Sequence, residues 1–239
     1  MKTQFHFTFA NLEAQYQAAL DAGYEFLTCL EYAERKHALS ALTVVNRVDI
    51  DLSVKKADRL REIFDRLGIK ASFFVRLHAP EYNPFSFENY RILKGIRDSG
   101  HEIGYHSEIV DQAAIWNEDA SDCLRRDLDV LKRFLDIEVR GVASHGGMTG
   151  LNNLDFWKNN LPPQFSLVYE AYEDSERFDL FNKALYISDS EWTRWKCYNH
   201  GQLVTGDHRD FSEHIKEKHA LIYLLIHPDT YYQKHIYEG

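Results

Sequence analysis

The chain has 239 residues, 44% of them hydrophobic, with 15 Phe and 14 Tyr, and a formal charge of −9. That length and aromatic content suit a folded chain with a large core rather than a disordered one, and the acidic balance sets aside nucleic acid, whose phosphates draw on a basic surface. Cys29, Cys123 and Cys197 are odd in number and far apart, so neither a disulfide framework nor a paired-cysteine metal site is signalled.

In chain order, Met1 to Gln17 carries Phe5, Phe7 and Phe9 in strand-like alternation and no continuous apolar segment of the kind that directs secretion, so a cytoplasmic chain is expected. Asn11 is read as the cap of a helix with Leu12, Tyr16, Ala19 and Leu20 on one face and Gly23 at its stop. Ala41 to Asp51 is a β-branched strand candidate, and Ser53 then caps a helix bearing Ala57, Leu60, Ile63, Phe64 and Leu67 before Gly68. Ala71–Leu77 predicts a strand, Tyr90–Ile96 a helix, Glu102–Tyr105 a strand, and Leu124, Leu128, Leu131 and Leu135 a long helix. Further strands are expected at Glu138–Ala143, Ala184–Ile187 and Leu221–Ile226; Thr149–Asp179, interrupted by Pro162 and Pro163, reads as a short helix plus an irregular insertion. The longest apolar run, Ala220–Ile226, is too short to cross a bilayer. Strand and helix alternate, which favours parallel strands with crossover helices. The expectation is an α/β fold, an incomplete (β/α) barrel of about seven parallel strands in a single domain over 1–239, with 1–40 as a helical lead-in.

The polar residues that close these strands carry the chemistry. Asp49 and Asp51 end the Val44–Asp51 run, His106 follows Tyr105, His145 follows Ser144, Asp189 follows Ser188, and His227 follows Ile226. In a parallel barrel such ends meet on one rim, where active sites lie. Singly, each has an ordinary reading: Asp51 as a helix-start residue, His106 as a hydrogen-bonded core imidazole like His101, His145 as part of a Ser-His-Gly-Gly turn, His227-Pro228 as a strand terminus. Five strands ending this way is the distinguishing observation. Asp49, between Val48 and Ile50, would be costly to ionise in a core without a cation or donors; Arg47 is taken to point to the opposite face and not to be its partner. Trp192 and Trp195 flank a charged segment where an aromatic face suits a sugar, against the commoner reading of such residues as core or lid.

These residues support a resemblance. Arg47-Val48-Asp49-Ile50-Asp51 resembles the Arg-His-Asp-Val-Asp form of the first motif of the polysaccharide deacetylase (NodB homology) family, carbohydrate esterase family 4, with Val48 in place of histidine. Leu67-Gly68-Ile69-Lys70-Ala71-Ser72-Phe73-Phe74 and Gly100-His101-Glu102-Ile103-Gly104-Tyr105-His106-Ser107 are similar to its next conserved stretches. Tyr186-Ile187-Ser188-Asp189 and the late His227-Pro228 resemble a subgroup associated with surface-polysaccharide gene clusters. The resemblance implies a divalent ion held by one aspartate and two histidines, the other aspartate serving as base. Val110 stands where the second histidine would, so Asp51, His106 and His145 are the expected ligands, with Glu108 and Asp111 as local alternatives to His145. The third-motif arginine is absent, Ala143 standing nearest its place. Asp49 and His227 are the expected base and acid, the roles of Asp49 and Asp51 being exchangeable, and Arg47, Asp189 and Trp192 are assigned to substrate. Zinc is the expected ion, with iron, cobalt or nickel compatible with the same nitrogen and oxygen ligands. The implied reaction is removal of an acetyl or formyl group from an N-acylated sugar or glycan precursor. The rival reading, motivated by Val110 and Ala143, is a sugar-binding protein that kept this fold without hydrolysis.

Overall fold

The computed structural model describes residues 6–238; Phe5 of the alternating phenylalanines lies outside them. Phe9 begins a helix rather than extending a strand: α1 (Phe9–Asp21) is capped by Thr8, whose hydroxyl accepts from Asn11 N–H, so the cap lies three residues before the expected Asn11. The lead-in is not wholly helical either. After α1 come β1 (Glu25–Leu27), parallel to the later strand, and α2 (Cys29–Arg35), which a Thr28–Glu31 capping box opens. A strand of three residues has too little alternation to be read from sequence.

Next come β2 (Thr43–Ile50), α3 (Val54–Leu67), β3 (Ser72–Val75), α4 (Phe87–Asp98), β4 (Glu102–Ser107), α5 (Ile109–Trp116), α6 (Ala120–Leu135) and β5 (Gly141–Ser144). Ser53 does cap α3, and Gly68 ends it at φ 67°, a left-handed position that favours glycine. Two short 3-10 turns, Asn153–Lys158 and Pro162–Phe165, replace the expected short helix, before β6 (Tyr169–Glu170), α7 (Leu180–Lys183), β7 (Leu185–Ser188), β8 (Lys196–Asn199), β9 (Gln202–Leu203), α8 (Phe211–Ile215) and β10 (Leu221–Ile226).

The sheet runs β6-β5-β4-β3-β2-β10-β7, seven parallel strands, then turns antiparallel through β8 and β9, with β1 beside the first half of β2. β6 and β7 do not pair, so the barrel is incomplete; across the gap Tyr172 and Tyr186 bring their hydroxyls to 3.1 Å. All eight residues of β2 are buried, as befits a strand covered on both faces. Val44, Val48 and Ile50 pack under the helices, while Val45 joins Phe74, Ala143, Tyr169, Tyr186, Tyr223 and Leu225 in a second core inside the barrel. That interior is tight enough to need glycine. A Cβ at Gly104 would lie 2.4 Å from the Phe74 ring and 3.0 Å from the Gly141 carbonyl oxygen. Gly104→Ala is expected to cost about 1–3 kcal/mol of overpacking, seen as a lower urea midpoint at unchanged slope.

Candidate metal centre

Because side chains alternate along β2, Val45, Arg47 and Asp49 face the barrel interior, and Asp51 emerges at its rim. There it meets residues from the ends of β4, β5 and β10 around a cavity of about 260 Å³. Asp51 Oδ1 lies 3.3 Å from His106 Nε2 and 3.7 Å from His145 Nε2, and Asp51 Oδ2 lies 3.9 Å from His227 Nε2. Asp51 is therefore more than a helix-start residue, since Ser53 fills the capping role.

One ligand atom each from Asp51, His106 and His145 falls within 4.8 Å of the others, close enough to share one ion. His106 Nδ1 is 2.8 Å from the Ala143 carbonyl oxygen, which can only accept, so Nδ1 carries the hydrogen and Nε2 is turned to Asp51. Asp51 Oδ1 and His145 Nδ1 are buried and make no well-formed hydrogen bond. A buried carboxylate oxygen without a donor is costly unless a cation meets it. Burial opposes the charge on Asp51, but the surrounding histidines outweigh it and hold its carboxyl far below the usual carboxylate range. Burial and then His106 and Arg76 push the His145 imidazole toward its neutral, ligand-competent form. One carboxylate and two imidazoles suit a borderline divalent ion such as zinc, so the residues present fit it.

His145 reaches this position by a loop that the sequence alone does not resolve. Its N–H donates to the Ser107 carbonyl, and its own carbonyl accepts from Asn153 Nδ2. Asp111 holds the loop rather than the centre, accepting from Met148 N–H, the N–H and hydroxyl of Thr149, and Asn153. At Gly147 a Cβ would fall 1.5 Å from the Leu151 carbonyl oxygen, so the fold-back needs glycine there. Val110 packs against the helix-side core. Glu108 does approach: its Oε1 is 3.6 Å from His145 Nδ1 and accepts from Arg76 at 2.7 Å, while Arg76 also donates to the Asp51 carbonyl at 3.0 Å. Glu108 is among the expected alternatives, whereas Arg76 is missed because its strand is expected to run on to Leu77 and it ends at Val75.

The expected separation of Arg47 from Asp49 is wrong. Arg47 Nε and Nη2 donate to the two oxygens of Asp49 at 2.8 and 2.7 Å, because residues two apart on a strand share a face. The guanidinium also donates to the Tyr223 hydroxyl at 3.1 Å and lies over the Tyr172 ring at 4.7 Å. Fully buried, Arg47 is held as the partner of Asp49 and also lines the cavity. Burial raises the Asp49 carboxyl, and Arg47 followed by His106 outweighs it, leaving the carboxylate ionised.

Asp189 likewise has no exposed surface and lies beneath His227, accepting from its Nδ1 at 2.6 Å and its N–H at 3.1 Å. It holds the His227 imidazole in place. Burial works against protonating His227, but Asp189 overrides it and raises the pKa to about 9. Trp192, 41% exposed, stands with its ring 5.8 Å from that of His227 at the cavity mouth, whereas Trp195 is buried against Phe7. His101 is the ordinary core histidine expected, between Ala71 N–H and Asp65, with burial lowering its pKa to about 4.

No family model matches the chain, and no curated protein does. Solved structures do. The similarity is to deacetylases. A Streptococcus pyogenes deacetylase, PplD, in complex with acetate is 16% identical over 56% of this chain and 61% of its own, at TM-score 0.44. IcaB from Ammonifex degensii is 18% identical over 68% of this chain and 74% of its own, at TM-score 0.49. A mutant of a CE4 family pseudoenzyme with restored enzymatic activity is 16% identical over 80% of this chain and 62% of its own, at TM-score 0.46. The chain thus spans less than two thirds of the first and third. Among the described residues, no helix is long and apolar enough to cross a membrane.

Proposed function

We propose that this chain is a metal-dependent hydrolase that removes an acetyl or formyl group from the nitrogen of a sugar or glycan precursor, with zinc as its ion. The observation that carries the reading is the meeting of Asp51, His106 and His145 between an Arg47-held carboxylate, Asp49, and an Asp189-held imidazole, His227. Asp51, His106 and His145 would hold the ion, which when bound supplies Lewis acidity, lowering the pKa of a water and polarising the acyl carbonyl. Asp49, whose Oδ2 is 3.4 Å from His106 Nε2, takes the proton of the attacking water. His227 stands across Asp51 and gives its proton to the departing amine, so that the C–N bond breaks with a neutral amine leaving. Trp192 at the mouth offers a flat apolar face to a sugar ring.

This division of labour has a pH signature. An acid held at about 9 keeps its proton at neutral pH and loses it as pH rises, so turnover falls on the alkaline side. A bound dication would bring that value down, against the pull of Asp189. The test is release of acetate or formate from N-acyl amino sugars by zinc-loaded protein, followed against pH. Asp189→Asn removes the group that raises the pKa and is expected to move the alkaline fall to lower pH, while His227→Ala lowers kcat by about 10²–10⁴-fold. Stoichiometric zinc and measurable sugar affinity with no acid released from any such sugar would overturn hydrolysis and leave a binding protein.

A further inference from the structure

Away from the rim, β8, the loop after β9 and α8 bring together Cys197, Asp207 and His214. One ligand atom from each lies within 4.8 Å of the others, and His214 Nε2 is 3.7 Å from Asp207 Oδ1. His214 has no exposed surface, yet neither of its ring nitrogens makes a hydrogen bond. Core imidazoles are ordinarily satisfied through at least one nitrogen, and His101 shows the rule in this same fold. Cys197 is buried beside it, 1% exposed.

We propose that Cys197, Asp207 and His214 form a second site for a zinc-type divalent ion. Thiolate, imidazole and carboxylate are together a zinc-like donor set, and three protein ligands leave the fourth tetrahedral position to water. The Cys197 thiol proton passes to solvent as the sulfur–metal bond forms. Arg209 pairs with both Asp207 and Glu217, so one guanidinium faces two carboxylates and one negative charge is left over for a cation. Glu217 and His219 are bonded to each other at 2.8 Å and partly exposed, which favours the Cys197 side of His214. The ion would tie β8 to α8, whose Phe211 packs on Tyr16 of α1.

The test separates this ion from the one at the rim. Cobalt(II) replaces zinc in the full chain and in a His106→Ala/His145→Ala variant, and thiolate-to-cobalt charge-transfer absorption is followed on titration. Two equivalents are expected in the parent and one in the variant, with the charge-transfer band in both and lost on Cys197→Ser. Because the parent is read directly, the result does not depend on a variant folding. Absence of the band in the parent would overturn the site, as would its persistence in a folded Cys197→Ser protein, which would assign the sulfur to Cys29 or Cys123.

Discussion

Alanine at His145 is expected to strip the rim centre of its ion and to abolish turnover, although His145 lies outside the two-histidine spacing that the second motif implies. Changing residues that only support a ligand commonly costs about 10–100-fold in affinity or activity, so losing a ligand itself should cost more. Asp51→Ala and His106→Ala should do the same, with total metal content by elemental analysis falling by one equivalent. Asp49→Asn should behave differently: the ion stays and kcat falls by about 10²–10⁴-fold, the size of a general-base contribution. That contrast separates ligand from base. If Asp49→Asn loses the ion while Asp51→Asn keeps it, the two aspartates exchange roles; if His145→Ala keeps both ion and turnover, Val110 has been compensated by some other group and the ligand set is wrong. Glu108→Gln should give a smaller loss, since its oxygen stands 3.6 Å from His145 Nδ1 and acts through that ring.

Arg47→Met is expected to be the most destabilising single change in the barrel interior. Arg47 and Asp49 are both buried, joined by two charge-assisted hydrogen bonds, and removing one partner leaves the other charge uncompensated in a low-dielectric core. Breaking such a pair costs about 3–5 kcal/mol, against a total stability of about 5–15 kcal/mol for a domain. Replacing both, Arg47→Met with Asp49→Leu, should recover much of the loss, because two apolar side chains need no compensation. Urea denaturation of the two variants checks this. A single variant as stable as the parent, or a double variant no better than the single, would mean that solvent or His106 already compensates Asp49.

The alternation of strands and helices was legible because it is local. Apolar periodicity at Thr43–Ile50, the Ser53 cap and the Gly68 stop, and the run Leu221–Ile226 are each written within a few residues. The gathering of Asp49, Asp51, His106, His145, Asp189 and His227 was legible for a related reason: parallel strands place their ends on one rim, so a polar residue closing an apolar run already carries its address. The short β1 and β6 were not legible, since three residues and two residues carry no period.

What each rim residue does was decided by tertiary structure. Arg47 belongs with Asp49 by strand alternation, a local rule, but its contacts with Tyr223 and Tyr172 depend on segments far away in sequence. Asp189 meets His227 because β7 and β10 lie side by side in register. The expected preference for His145 over Asp111 gained its physical reason from Asn153 and the loop it fastens, which engage Asp111. The sequence by itself determined which residues could do chemistry and at which end of the barrel, because burial patterns and strand direction are properties of single segments. Only the tertiary structure decided which atoms meet, because hydrogen bonds and ligand geometry act over about 3 Å and are set by the lateral register between strands that no single segment encodes.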